Sequence, residues 1–311
     1  MTSGAARRAR VAALVRERQA TICAAVETLD GPGAEVRDDA WTRPGGGGGR
    51  SRVLQDGNTL EKAGVNTAVV WGTLSLEQVG NILQQGPAPD SEPVEFFVAS
   101  LSLVLHPHNP MAPTVHANYR YFELGDADAP RGWWFGGGSD LTPSYLFEED
   151  AAHFHGVLKA VCDRHDGSYY RRLKRWCDDY FYLGYRGEHR VIGGIFFDRL
   201  HQPNWESAFG FVQDCADAFL PAYLPIAGRR VGLPFGDAQK RWQQLRRGRY
   251  VEFNLLRDRG TAFGFRTGGR TESILMSLPL VARWEYDVRP ETGSAEACLL
   301  EVLREPHDWV P

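Results

Sequence analysis

Along residues 95–106, EFFVASLSLVLH, the side chains alternate: Ala99, Leu101, Leu103 and Leu105 fall on one side of an extended chain, Ser100, Ser102, Val104 and His106 on the other. The pattern predicts a strand with one buried face, and it puts Ser102 and His106 together on the second face. Residues 115–124, VHANYRYFEL, read as a further strand with His116, Asn118 and Arg120 alternating onto one side. If both strands turn these sides the same way, they form a polar wall. Residues 63–72 predict another strand, and 190–200 a buried one whose paired glycines suggest a close approach. Near the start, Val11, Leu14, Val15, Ile22, Val26 and Leu29 recur at helical spacing, and Asp30-Gly31 ends the run. Helices are also expected over 147–165, 168–183, 204–221, 236–247 and 271–279. Residues 132–143 read as a short aromatic strand, a glycine-rich turn and a helix start, 248–265 as a β-hairpin, and 282–287 as a last strand.

Strands and helices mix irregularly, which favours an α+β fold over a regular βαβ wind. No stretch has the length and composition of a linker, so a single domain over residues 1–311 is expected. The glycine tract at 45–49 lacks both the GK[ST] ending of a phosphate loop and GxGxxG spacing, and a flexible loop is expected there.

A net charge of −4 speaks against a nucleic-acid binder, and no apolar run reaches the ~18–20 residues needed for stable membrane insertion. Five scattered cysteines without CxxC spacing read as the reduced thiols of a cytoplasmic protein. The arginine-rich opening carries a faint transit-peptide character, but its periodicity fits the first helix of the fold better. Lysine occurs four times against thirty-one arginines. Arginine suits bidentate capture of carboxylates, although coding bias alone also produces such a surplus.

The chemistry concentrates in HPHNPMAPTVHANYR, residues 106–120, where three prolines stiffen a loop between His106 and His116. With His155 on the following helix, these histidines could ligate a metal, move protons, or be structural. No HExxH is present; His108 and His153 read as surface residues. The Gly268-Gly269-Arg270 turn offers N–H groups and a guanidinium to a carboxylate. Asp198, closing the apolar GIFFD, is a candidate base. The residues alone describe a cytoplasmic α+β enzyme with a His/Arg/Asp pocket for an acidic, partly apolar substrate.

The blocks GGGGRSRVLQDGNTLEKAGVN, HPHNPMAPTVHANYRYFE, WWFGGGSDLTPSYLFEEDAAHFH, KRWCDDYFYL, GIFFD, RRGRYVEFNLLRDRGTAFGFRTGGRTESILMSLP and RWEYD resemble, in order, the oxygen-dependent coproporphyrinogen III oxidases of haem biosynthesis. The resemblance runs from about residue 45 to 310. It implies oxidative decarboxylation of two propionates of coproporphyrinogen III to vinyl groups, giving protoporphyrinogen IX. Molecular oxygen would be the co-substrate, with no flavin, haem or NAD and with a divalent metal as a candidate. It implies a large flat sheet between helical layers and a homodimer built partly from a hairpin at about 250–285. Residue by residue, it implies substrate contacts at Ser102, Asn118, Tyr119, Arg120, Gly268, Gly269 and Arg270. It makes His116 the proton donor, and places metal ligands at His106, His116 and His155.

Two positions depart from the family pattern. Tyr185 stands where members carry a fourth histidine ligand, and Arg199 stands where they carry the second of two aspartates after Phe197. They keep alternatives open: a porphyrinogen-binding homologue with weakened or lost catalysis, and, on the three histidines, a metal-dependent hydrolase.

Overall fold

The computed structural model describes residues 3–83, 93–266 and 268–310. The elements run α1 (Gly4–Asp30), β1 (Val36–Thr42), β2 (Gly47–Gln55), β3 (Leu60–Leu74), α2 (Leu76–Leu83), β4 (Val94–Pro107), β5 (Thr114–Gly125), β6 (Pro130–Thr142), α3 (Glu148–His165), α4 (Tyr169–Tyr180), β7 (Tyr182–Leu183), β8 (Glu188–His189), β9 (Gly194–Leu200), α5 (Trp205–Arg230), α6 (Asp237–Leu256), α7 (Arg259–Arg266), α8 (Thr271–Leu275) and α9 (Ala295–Arg304). The fold is α+β, as expected. Its centre is an antiparallel sheet of order β1-β2-β3-β4-β5-β6-β9, a six-strand meander closed by β9.

The alternation in β4 and β5 sorts the sheet into two unlike faces. Ala99, Leu101, Leu103, Leu105, Val115, Ala117, Tyr119 and Tyr121 are buried in the main core together with side chains of α1, α3 and α5. Burial of this kind, at roughly 25 cal/mol per Å² of apolar surface, is the dominant stabilising contribution. The other face is covered toward its margins, with α4 laying Tyr180 on Phe196 of β9. At one end α2 lays Val79 and Ile82 on Phe96, Phe122, Leu124 and Trp134. At the other end α8 crosses the sheet, with Met276 so close over Gly64 that a Cβ there would stand 3.0 Å from its methyl. Between the two lies open, polar sheet surface.

The first helix stops at Gly31, whose φ of +87° suits the residue that lacks a Cβ. Asp30, expected only as a helix end, is buried, and its carboxylate accepts the backbone N–H groups of Asn58, Thr59 and Leu60. It thereby holds the β2–β3 turn against the helix.

Four local expectations fail in whole or in part. The glycine tract is a loop only at Gly45 and Gly46, which turn between β1 and β2, because Gly47, Gly48 and Gly49 pair along β3. A Cβ on Gly49 would strike the Trp41 ring at 2.3 Å, so glycine here admits an aromatic neighbour rather than flexibility. Residues 132–143 are no turn and helix start; Gly136, Gly137 and Gly138 run straight through β6. The hairpin at 248–265 is absent. There α6 continues to Leu256 and α7 follows, since Arg246, Arg247, Tyr250, Phe253 and Asn254 are buried at helical spacing. Finally, 282–287 forms no strand; Trp284 instead leans on Gly248 of α6 and donates its indole N–H to Glu252.

Candidate functional site

The strand register builds the open face into rungs running across the strands. The middle rung joins Asp39, Ser51, Asn66, Ser102, Asn118, Gly138 and Phe196, one residue per strand from β1 to β9. On one side of it, Val104, His116 and Asp140 are register neighbours; on the other, Ser100, Arg120 and Gly136 are. A register shift between β6 and β9 brings Asp198 beside this last row, where Arg120 Nη2 lies 3.6 Å from Asp198 Oδ1. Gly136 makes that approach feasible, because a Cβ would come within 3.0 Å of the aspartate and 3.2 Å of the guanidinium. With Gly138 beside it, the floor of the cleft carries no side chains over the middle of β6.

Arg270 reaches this floor from the α7–α8 turn. Its guanidinium donates to Asp39 at 2.6 Å and to Ser273, whose hydroxyl meets Ser51; Ser51 in turn donates to Asn66. The turn needs Gly268 at φ +68° and Gly269 packed under Gly264 O; the preceding Thr267 lies outside the described residues. On the opposite side, Tyr180 stacks on Phe196 at 4.2 Å between ring centres and its hydroxyl donates to Asp258.

His116 has the most developed electrostatic setting. Its Nδ1 bonds Asp140 Oδ2 at 2.7 Å, and the other oxygen of that carboxylate accepts from Arg190. Asp140 and Arg190 are both essentially inaccessible to water. The guanidinium stands 4.2–4.9 Å from the ring centres of Phe181, Tyr250 and Phe253. Burial pushes the Asp140 carboxyl up, but the charges of Arg190 and His116 overcome it and hold the group below the usual carboxylate range. An ionised Asp140 accepts only, so Nδ1 of His116 carries the hydrogen. Nε2 is left without a partner among the described residues, on a side chain 24% exposed to the cleft side of the sheet. This is the geometry of a proton carrier with a set orientation.

The structure thus gathers Ser102, His116, Asn118, Arg120, Asp198 and Arg270 on one face, with Gly268 and Gly269 shaping the turn that delivers the last. It does not gather the others. Tyr119 faces the core and donates its hydroxyl to Cys215 O at 2.9 Å, so it is corrected from a substrate contact to a core residue. Odd positions of β5 point away from the cleft.

The three-histidine metal set also needs correction. His106 is fully buried, its Nε2 donating to Ser277 O and its Nδ1 bonded to the Thr114 hydroxyl. His155 is buried on α3, with Nε2 on Ile192 O and Nδ1 on the Tyr170 hydroxyl. Burial and nearby cations push both toward the neutral form, His155 down to about 3. Both rings spend their two nitrogens inside the chain, and no three His, Cys, Asp or Glu side chains converge as metal ligands among the described residues. The residues present do not fit a metal held by these histidines. Tyr185 sits in the exposed β7–β8 turn beside Arg186.

Sequence reasoning missed Asp140, Arg190, Asn66 and Ser51. Asp140 follows a glycine run that imitates a turn; taken as a strand, the run puts Asp140 opposite His116 across the β5–β6 register.

Comparisons with known proteins identify the family. Residues 10–309 match the family model described as coproporphyrinogen III oxidase. The chain is 56% identical over 311 residues to the chloroplastic oxygen-dependent coproporphyrinogen-III oxidase of Glycine max, covering 97% of this chain and 80% of that protein. It is 52% identical over 305 residues to the oxygen-dependent coproporphyrinogen-III oxidase of Drosophila melanogaster, covering 97% and 78%. For the mitochondrial oxygen-dependent coproporphyrinogen-III oxidase of Homo sapiens the identity is 54% over 300 residues, covering 96% and 66%.

Proposed function

The chain belongs to the coproporphyrinogen III oxidase family, and from that premise we propose how its cleft performs the oxygen-dependent reaction. The protein is an oxygen-dependent coproporphyrinogen III oxidase that converts two propionates of its substrate to vinyl groups, giving protoporphyrinogen IX in haem biosynthesis. For each propionate, the β-carbon gives up a hydrogen with its electron pair and the carboxyl gives up its proton and carbon dioxide. Dioxygen takes the two electrons and two protons and leaves as hydrogen peroxide.

The observation that carries the reading is the rung geometry. Arg120, whose partner Asp198 stands beyond hydrogen-bond distance, keeps N–H donors available for a propionate. Asp198 accepts a pyrrole N–H and raises the electron density of the ring. Ser102 and Asn118 line the floor, Arg270 holds a second carboxylate from the rim, and His116 Nε2 moves protons against the fixed charge of Asp140. Of the two departures from the family pattern, Arg199 meets this site through its backbone N–H, which donates to Asp198 Oδ1 at 3.0 Å. Arg199 spends its guanidinium on Ile82 O at 2.6 Å, tying α2 to β9, and Tyr185 lies in an exposed turn.

The test is incubation of the protein with coproporphyrinogen III under air and under argon, followed by oxidation and chromatography of the porphyrins. Loss of two carboxyl groups only under air is expected; substrate retention without decarboxylation under air would instead identify a binding protein. A homodimer is part of the proposal, supported by the exposed Leu255, Leu256, Phe265, Trp284 and Tyr286 clustered within residues 250–286. Leu256→Glu with Trp284→Glu should then sediment as a monomer. Cytoplasmic residence, supported by five free cysteines of which four are buried, is checked by cell fractionation.

A further inference from the structure

A cavity of about 510 Å³ opens between α6, α9 and the β7–β8 turn, and none of its lining residues takes part in the cleft. Its inner wall is cationic. Arg246 bonds Glu188 at 2.9 Å and Arg186 bonds Glu252 at 2.6 Å, while Arg249 divides itself between the same two carboxylates at 3.5 and 3.2 Å. Three guanidinium groups therefore share two carboxylates, and one positive charge is left over in a half-buried setting. Burial and the neighbouring Arg186 and Arg246 depress the affinity of Arg249 for its proton, which is how an uncompensated cation cluster behaves. At the mouth, Arg304 has no ion-pair partner among the described residues, and Arg289, also in the lining and exposed, pairs with Asp287 at 3.0 Å. Part of the remaining wall is apolar, with Trp242 and Leu245 buried from α6 and Leu300 on α9; Thr292 and Glu301 also line it.

The volume suits a small molecule, the guanidinium forks suit carboxylates, and the apolar wall suits a carbon framework. We propose that this cavity is a second anion site, binding a polycarboxylate on an apolar framework with its acids against Arg246, Arg249 and Arg304 and its framework against Trp242 and Leu300. The assignment is independent of the reaction in the cleft.

Trimesate, a benzene ring bearing three carboxylates, is the probe, titrated calorimetrically into the full-length protein. Saturable binding is expected. Arg289→Glu with Arg304→Glu, both exposed and remote from the core, should weaken it about tenfold or more, since each lost charge-assisted contact is on that scale. Ala297→Phe, which narrows the cavity without altering charge, should abolish it, and Arg120→Ala in the cleft should leave it intact. Binding lost in Arg120→Ala but kept in the other two variants would place the probe in the cleft and overturn the proposal. So would the absence of saturable binding to the wild-type protein below about 1 mM.

Discussion

His116, Asn118 and Arg120 alternate along β5 with Ala117, Tyr119 and Tyr121, and the two sets live in different media. The odd residues meet α1 and α5 in a dry core where an unbonded polar atom is costly, and the Tyr119 hydroxyl is bonded to Cys215 O. The even residues meet a cleft in which guanidinium and imidazole groups keep unused hydrogen-bonding capacity: among the described residues, Arg120 has a 3.6 Å contact with Asp198 and His116 Nε2 has no partner. One face maximises satisfaction and the other withholds it where a ligand must supply the missing partner. Substitutions that cross this division distinguish function from stability.

The largest separation is expected from His116→Ala. It removes the proton carrier while leaving the buried pair behind it largely shielded. We expect turnover to fall about 10²–10⁴-fold with substrate affinity changed far less, measured as kcat and KM under air. Equal losses in both would make His116 a binding group. Unchanged turnover would move the proton chemistry elsewhere.

Asp140→Asn probes the boundary between the faces. It leaves Arg190 buried without its charge partner, a change of the kind that costs about 3–5 kcal/mol, read by urea denaturation at neutral pH. The native carboxyl is held below its ordinary value near ~3.9. Its contribution is therefore fully present above that value and is lost as pH falls through the depressed native one. The gap between wild type and variant should be widest at neutral pH and close in acid, where protonation makes the native residue neutral as well. A gap independent of pH would mean the charge of Asp140 contributes nothing.

The division between faces was legible in the chain for β4 and β5, because a period of two over ten or more residues admits one reading. Ser102, His116, Asn118 and Arg120 followed from it. Asp140 did not, since Gly136, Gly137 and Gly138 imitate a turn; in β6 they admit the Arg120–Asp198 approach and the close packing of β9. The hairpin misreading at 248–265 has a related origin. Tyr250, Glu252 and Asn254 alternate with apolar residues over too short a stretch to exclude a helix, and burial at Arg246, Arg247, Tyr250 and Phe253 decides for α6. The grouping of His106 and His155 with His116 came from residue type and order along the chain, which carry no information on whether a ring is already bonded. Only packing reveals that Ser277, Thr114, Ile192 and Tyr170 have claimed them.

The smallest effect is the one that sharpens the comparison most, because it sets neighbouring residues of one strand against each other. Tyr119→Phe removes a single hydroxyl that donates to a buried carbonyl, and burial keeps that phenol protonated well above its usual range. The expected cost is about 1 kcal/mol of stability, with kcat and KM unaltered, since the ring keeps its place among Leu101, Ala117 and the α5 side chains. Asn118→Ala, one residue earlier and on the cleft side, should do the reverse, raising KM severalfold while denaturation midpoints barely move. A rise in KM for Tyr119→Phe matching that of Asn118→Ala would mean that β5 turns in solution to offer both faces to substrate. The separation of core from cleft along this strand would then be wrong, and Arg120 and His116 would lose the fixed backbone that gives their roles a geometry.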